Sequence, residues 1–207
     1  MKFFKQLFAV LALLCATYAQ AEVVAGKDYT ILNSPQPTSS GKNVEVLEFF
    51  FYGCSHCYHL HPFISAWEKK IPKDVKLEYV PVVFNESWEP MAHTFYALEA
   101  MGQRKQLHDA LFEAWNVQNT DLSDEAHISE FVAKHGVDRS RFDADYNSFS
   151  MASKIARSNQ LVQSYGVRGT PTIAVDGKYI ITGLLPEETI RVLDGVIQIA
   201  RKERNKR

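Results

Sequence analysis

The stretch VEVLEFFFYGCSHC, residues 44–57, decides how this chain folds. Val44 to Tyr52 is a dense run of Val, Leu and Phe that holds two acids, Glu45 and Glu48. It reads as a buried strand. Gly53 ends the run, and Cys54 to Lys70 has helical character, with a kink predicted at Pro62. Cys54-Ser55-His56-Cys57 therefore falls where a strand hands over to a helix. The helix N-terminus directs N–H groups and positive potential at the first sulfur, which stabilises its thiolate. His56 beside it adds a positive charge or a donated hydrogen bond. A stabilised thiolate is a good leaving group and favours the reduced pair, so the disulfide of such a pair is oxidising. Cys54 is then the exposed, attacked sulfur. Cys57, a turn deeper, re-forms the ring.

Other uses of the same atoms compete. A structural disulfide across two intervening residues would constrain little of the unfolded chain. A zinc site could draw on His59 and His61, but these alternate along a helix, point to different sides, and have no second cysteine pair to join. They read as partly exposed helix residues. A c-type haem site needs His directly after Cys57, where Tyr58 stands.

Working outward, Asn33 to Asn43 reads as a loop, and Lys76 to Phe84 as a second strand interrupted by Pro81. From Trp88 to about Tyr165 there is no strand pattern. Met91, Phe95, Leu98 and Met101 recur at helical spacing, as do Leu107, Leu111, Phe112 and Trp115. Ser123 is the expected N-cap of a further helix that carries Ile128, Phe131 and Val132 and closes at Gly136. Asn159 to Tyr165 ends another, closed by Gly166. Strands return at Thr172–Val175 and Tyr179–Thr182 around Asp176-Gly177, a strong hairpin signal. Pro186 to Glu203 is a final amphipathic helix, and Arg201 to Arg207 reads as a solvated basic tail. The fold class is α/β, a core split by an all-α insertion.

Met1 to Ala21 reads as a secretory signal peptide. Leu7 to Ala16 is too short an apolar run to span a membrane, and Ala19-Gln20-Ala21 offers the small residues that a signal peptidase reads. An uncleaved anchor, or a lipoprotein acylated on Cys15, are the alternatives. Cleavage before Glu22 takes away Lys2 and Lys5, so 23 basic residues become 21 against 24 acids, a net charge of -3. That balance argues against a general nucleic-acid binder. It also leaves Cys54 and Cys57 as the only cysteines, in an oxidising compartment.

A second signal lies at Val167-Arg168-Gly169-Thr170-Pro171-Thr172. Pro171 opens a strand where either a cis or an ordinary trans peptide fits, and a cis bond would leave the Thr170 backbone free to pair with an extended peptide. Together, the Cys-x-His-Cys motif after a Phe-rich strand, the helical insertion and Gly-Thr-Pro-Thr before a hairpin resemble the DsbA-type periplasmic thiol:disulfide oxidoreductases. The resemblance covers nearly all of the chain after the leader. It implies a thioredoxin-like domain over 22–86 and 166–207 and an inserted helical domain over 87–165. It makes Cys54 the nucleophile and Cys57 its buried partner in a redox-active Cys54–Cys57 disulfide. His56 and Ser55 become the dipeptide that tunes oxidising power, with Ser55 where the family's best-known dipeptide has proline. Pro171 becomes a cis-proline packed against the disulfide, with Thr170 contacting substrate. Glu48 becomes a buried acid that assists proton transfer at the deeper thiol. The resemblance also implies a monomer in the Gram-negative periplasm that oxidises reduced, unfolded secreted proteins. A membrane quinone-linked oxidase of the DsbB type would reoxidise it, with no cofactor, metal or nucleic acid. The rivals are the same chemistry run as an isomerase or reductase, and a secreted binding or chaperone module without redox turnover.

Overall fold

The structure, a computed structural model, describes residues 22–206. The leader read over Met1 to Ala21, with Cys15, lies outside the described residues. Five strands form one mixed sheet: β1 Thr30–Ile31, β2 Val44–Phe50, β3 Val75–Pro81, β4 Thr172–Val175 and β5 Tyr179–Thr182, in the order β1-β5-β4-β2-β3. Only β2 and β3 are parallel, in a register that sets Glu48 beside Tyr79. A parallel pair needs a crossover, and α1, Ser55–Glu68, supplies it. The chain then leaves the sheet for five helices, α2 Glu89–Ala100, α3 Arg104–Asn116, α4 Glu125–Lys134, α5 Arg139–Tyr146 and α6 Phe149–Ser164. It returns as the β4–β5 hairpin, and α7, Pro186–Arg204, ends it. This is the α/β core with an all-α insertion that the sequence predicts.

Alternation along β2 sorts the core into two faces. Val44, Val46 and Phe50 join Leu60 and Ile64 of α1 and Val192, Val196 and Ile197 of α7, and continue into the insertion through Phe95 and Phe112. Leu47 and Phe49 point the other way, into a smaller cluster with Val80, Tyr165 and Ala174. Every residue of β2 is buried, so Glu48 sits buried in the larger face. The hairpin turn forms as read, with Asp176 and Gly177 both at positive φ, 54° and 69°, as a type I′ turn requires.

The structure corrects several expectations. β3 ends at Pro81, which pairs with Phe50 and terminates the strand rather than interrupting it. Asp124, not Ser123, caps α4, because its carboxylate accepts the N–H of His127 at 3.0 Å. Helix α5 has no amphipathic signature; it is short and charged, and only Phe142 and Tyr146 are buried. The basic C-terminus is not a free solvated tail. Arg201 makes two hydrogen bonds to Asp74, at 2.7 and 2.6 Å, and Arg204 grips Asp176 and the Gly41 carbonyl.

Candidate active site

β2 and β4 are antiparallel neighbours, with Phe49 opposite Thr172. The C-terminal end of β2, which leads to Cys54, therefore lies beside the N-terminal end of β4, which follows Pro171. Two motifs more than a hundred positions apart meet at one end of the sheet's central strands, where Cys54 Sγ donates to the Thr170 carbonyl at 3.2 Å. The Thr170–Pro171 peptide is cis.

Cys54 is the N-cap of α1, with extended backbone, and its sulfur accepts the N–H of Cys57 at 3.4 Å. The cap position explains the electrostatics: first-turn N–H groups have no helical partner and point at whatever stands there. Both cysteines are free thiols here. The Cys54 thiol is pulled down to about 5. Its hydrogen bond with the Cys57 side chain contributes most, desolvation opposes, and the Thr170 side chain and the backbone N–H groups of Cys57 and His56 add to it. The contact to the Thr170 carbonyl needs the protonated thiol, so it is given up when Cys54 ionises. Cys57 goes the opposite way. It is fully buried, and its thiol is pushed well up, first by burial and then by its hydrogen bond and charge interaction with Cys54.

Glu48 lies on the larger sheet face. Its carboxyl is pushed up to about 8, by burial and then by the charge of Glu68, with Arg104 acting against them. Its Oε2 has no hydrogen-bond partner among the described residues. An acid so placed holds its proton at neutral pH, and once ionised its charge raises the Cys57 thiol further.

His56 and Ser55 are exposed on the outer side of α1. What His56 supplies to the sulfur in this geometry is its backbone N–H. Its ring lies on the wall of a groove of about 810 Å³ that also takes in Leu60, Phe63, Thr170, Pro171 and Leu185. Leu185 is 68% exposed, so this apolar face is open to solvent beside the sulfur. His59 is exposed, but His61 corrects the expectation of two partly exposed histidines. It is 7% exposed, stacked on Phe112 and bonded through Nε2 to Asp109 Oδ1 at 2.6 Å. The two rings do not converge, and no cluster of three potential metal ligands occurs among the described residues.

Sequence reasoning missed the part played by α3. Tyr52 Oη and His108 Nδ1 share a hydrogen bond of 2.6 Å, Tyr58 Oη donates to Glu113 at 2.9 Å, and Asn116 Nδ2 donates to the Tyr52 carbonyl at 2.8 Å. These join residues on both sides of Cys54 to one helix of the insertion. No motif announces them, because each bond spans more than fifty positions.

One sulfur poised as an anion beside another kept as a thiol, on a mixed sheet interrupted by helices, defines a thioredoxin-fold thiol:disulfide oxidoreductase. Comparison with known proteins narrows the class. The sequence pattern of the DSBA-like thioredoxin domain matches residues 74–192. The chain is 38% identical over 187 residues to the thiol:disulfide interchange protein DsbA of Pseudomonas aeruginosa, covering 88% of this chain and 89% of that protein. It is 35% identical over 205 residues to the DsbA of Bordetella parapertussis, covering 96% and 98%. The crystal structure of Pseudomonas aeruginosa DsbA superposes with a TM-score of 0.84 at 36% identity, over 87% of this chain and 96% of that one. This chain belongs to the DsbA family.

Proposed function

We propose that the protein oxidises cysteine pairs of folding secreted proteins by donating its Cys54–Cys57 disulfide. The observation that carries this reading is the opposed acidity of the two thiols, with Cys54 at about 5 and Cys57 well above its ordinary value. A substrate thiolate attacks Cys54 Sγ. The Cys54–Cys57 bond breaks, and its electron pair leaves on Cys57, which takes a proton because its buried position favours the thiol. Glu48, itself protonated at neutral pH, is the nearby acid for that transfer. A second substrate thiolate then attacks the substrate sulfur of the mixed disulfide and expels Cys54 as a stable thiolate. The substrate loses two electrons and gains a disulfide, and the enzyme is left as the dithiol. An electron-accepting membrane partner, a quinone-linked oxidase of the DsbB type, restores the disulfide.

The open apolar groove beside Thr170 and Pro171 suits unfolded chains of unrelated sequence. It offers apolar area without a shaped pocket for one side chain, and Thr170 presents backbone at its rim. Residues 22–86 and 166–207 form the thioredoxin-like domain in this reading, and 87–165 the inserted helical domain. Residues 1–21 are a leader that directs a monomer to the periplasm. No helix of the described residues is long and apolar enough to cross a membrane.

The test is the equilibrium of the Cys54–Cys57 pair against glutathione, run on the chain from Glu22. A pair far more oxidising than thioredoxin, at about −270 mV, is expected. A pair as reducing as thioredoxin, with no oxidation of a reduced test protein, assigns the chain to the reverse reaction instead.

A further inference from the structure

We propose that Asn116, at the C-terminal end of α3, is a positioning residue of the dithiol site: it fixes the turn before Cys54 and so seats Sγ over the first turn of α1. The inference rests on the reading of Cys54 as the nucleophile.

Cys54 N donates to the Phe51 carbonyl at 3.0 Å, so Phe51 to Cys54 is a closed turn with Tyr52 and Gly53 at its corners. The central peptide of such a turn joins the two corners. It is the unit whose rotation separates one turn type from another, so it is the part most in need of an external hold. Asn116 provides one. Its Nδ2 donates to the Tyr52 carbonyl at 2.8 Å and to the Phe112 carbonyl at 2.9 Å. Both partners are acceptors, which fixes the amide with its NH₂ toward them and uses both N–H groups. A carboxylate at this position would set oxygen against oxygen, and an aliphatic side chain would leave the Tyr52 carbonyl without this donor.

A second observation, independent of that bond, concerns Gly53. A Cβ on Gly53 would lie 2.5 Å from the Phe51 ring and 2.8 Å from the Trp115 ring. Trp115 precedes Asn116 on α3, so the end of one helix presses on one corner of the turn and hydrogen-bonds the other. The Tyr52 side chain is held from the same helix through His108. What this hold controls is the reach from Cys54 Sγ to Cys57 N. That bond is 3.4 Å to a sulfur acceptor, and it weakens steeply when the N–H and the sulfur fall out of line. The insertion thereby enters the chemistry without touching the reacting atoms.

The experiment compares Asn116→Leu and Asn116→Asp with the unaltered protein, by thiolate absorbance against pH and by the glutathione equilibrium. Loss of the donor is expected to move the Cys54 titration upward by about half a unit to one unit, and to make the pair roughly three- to tenfold less oxidising. Thermal melts establish that the variants fold. Folded variants with an unmoved titration and an unmoved equilibrium overturn the inference. Should neither variant fold, Asn116→Ala, which removes both N–H groups without added bulk or charge, is read in their place. A displacement in the same direction supports the proposal, and none rejects it. Failure of the function itself is distinguishable, because the unaltered protein would then lack a depressed Cys54 titration whatever Asn116 does.

Discussion

Cys54 and Cys57 are the same residue three positions apart, yet the fold drives them in opposite directions. Cys54 stands just outside the helix, half-buried, where unpaired N–H groups converge on its sulfur. Cys57 stands one turn inside, fully buried, where only the neutral thiol is comfortable. Hydrogen bonds lower Cys54, whereas burial comes first in raising Cys57 and the charges of Cys54 and Glu48 add to it. The lesson is that a single helical turn, placed across the boundary between solvent and core, suffices to give one cysteine the properties of a leaving group and the other those of a proton holder.

The sharpest way to break this contrast is to remove each sulfur in turn. Cys54→Ala is expected to abolish oxidation of a reduced test protein. Cys57→Ala should likewise lack a disulfide to donate, but its Cys54 thiolate can still attack a disulfide-bonded substrate; with no second thiol to release it, the mixed disulfide accumulates and is visible on non-reducing gels. If the two variants behave alike, the division of labour is wrong. Cys57→Ala should also raise the Cys54 titration by about one to two units, since the bond between the two side chains is the largest cause of its depression. Thiolate absorbance reads this directly.

A smaller effect concerns the buried floor. The Glu48 carboxyl, at about 8 in the folded protein against an ordinary 4.5, holds a proton that the unfolded chain releases. The ionisation-linked cost of its burial is therefore absent well below pH 4.5 and grows as pH rises to about 8. Glu48→Gln should stabilise the fold by roughly 1–3 kcal/mol at pH 8 and scarcely at all at pH 4.5. Denaturant melts at the two values check it, and equal stabilisation at both would mean that Glu48 is ionised throughout.

Cys54 carries the opposite sign. Its thiolate is favoured in the folded dithiol, so the stability it adds is fully present above its ordinary pKa of 9.0 and fades as pH falls toward 5. The reduced protein should melt later than the oxidised protein at neutral pH, with the gap closing toward pH 5. A more stable oxidised form at neutral pH contradicts this. The least effect is expected from His56→Ala. The ring is exposed, and it is the backbone N–H at position 56, kept by the variant, that reaches the sulfur. The Cys54 titration should rise by only a few tenths of a unit.

Much of this was legible in the chain because local rules govern it. The strand from Val44, which stops at Phe50, two residues sooner than its pattern predicts, the hairpin at Asp176-Gly177 and the helix-opening cysteines each follow from neighbours in sequence. The final strands, Thr172–Val175 and Tyr179–Thr182, form with the bounds their pattern predicts. β1 escaped notice because two residues carry no period, and it exists only by pairing with Tyr179 and Ile180. His61 was misjudged for a related reason. Its own helix gives no sign that Asp109 and Phe112 wait across from it. The hold of α3 on the active-site turn belongs to the same class, in which partners are chosen by topology and not by spacing.

The pairing of β2 with β4 has a consequence for how the enzyme comes into being. A ribosome delivers Cys54 long before Thr170, and the sheet cannot close around the motif until the whole helical block has been threaded out between them. Until then the growing polypeptide carries an unfinished site, whose first thiol lacks its neighbour from the far strand. The contacts around Cys54 are complete only once Thr170 and Pro171 have been made, so the last strand pair finishes what the first strand and helix begin.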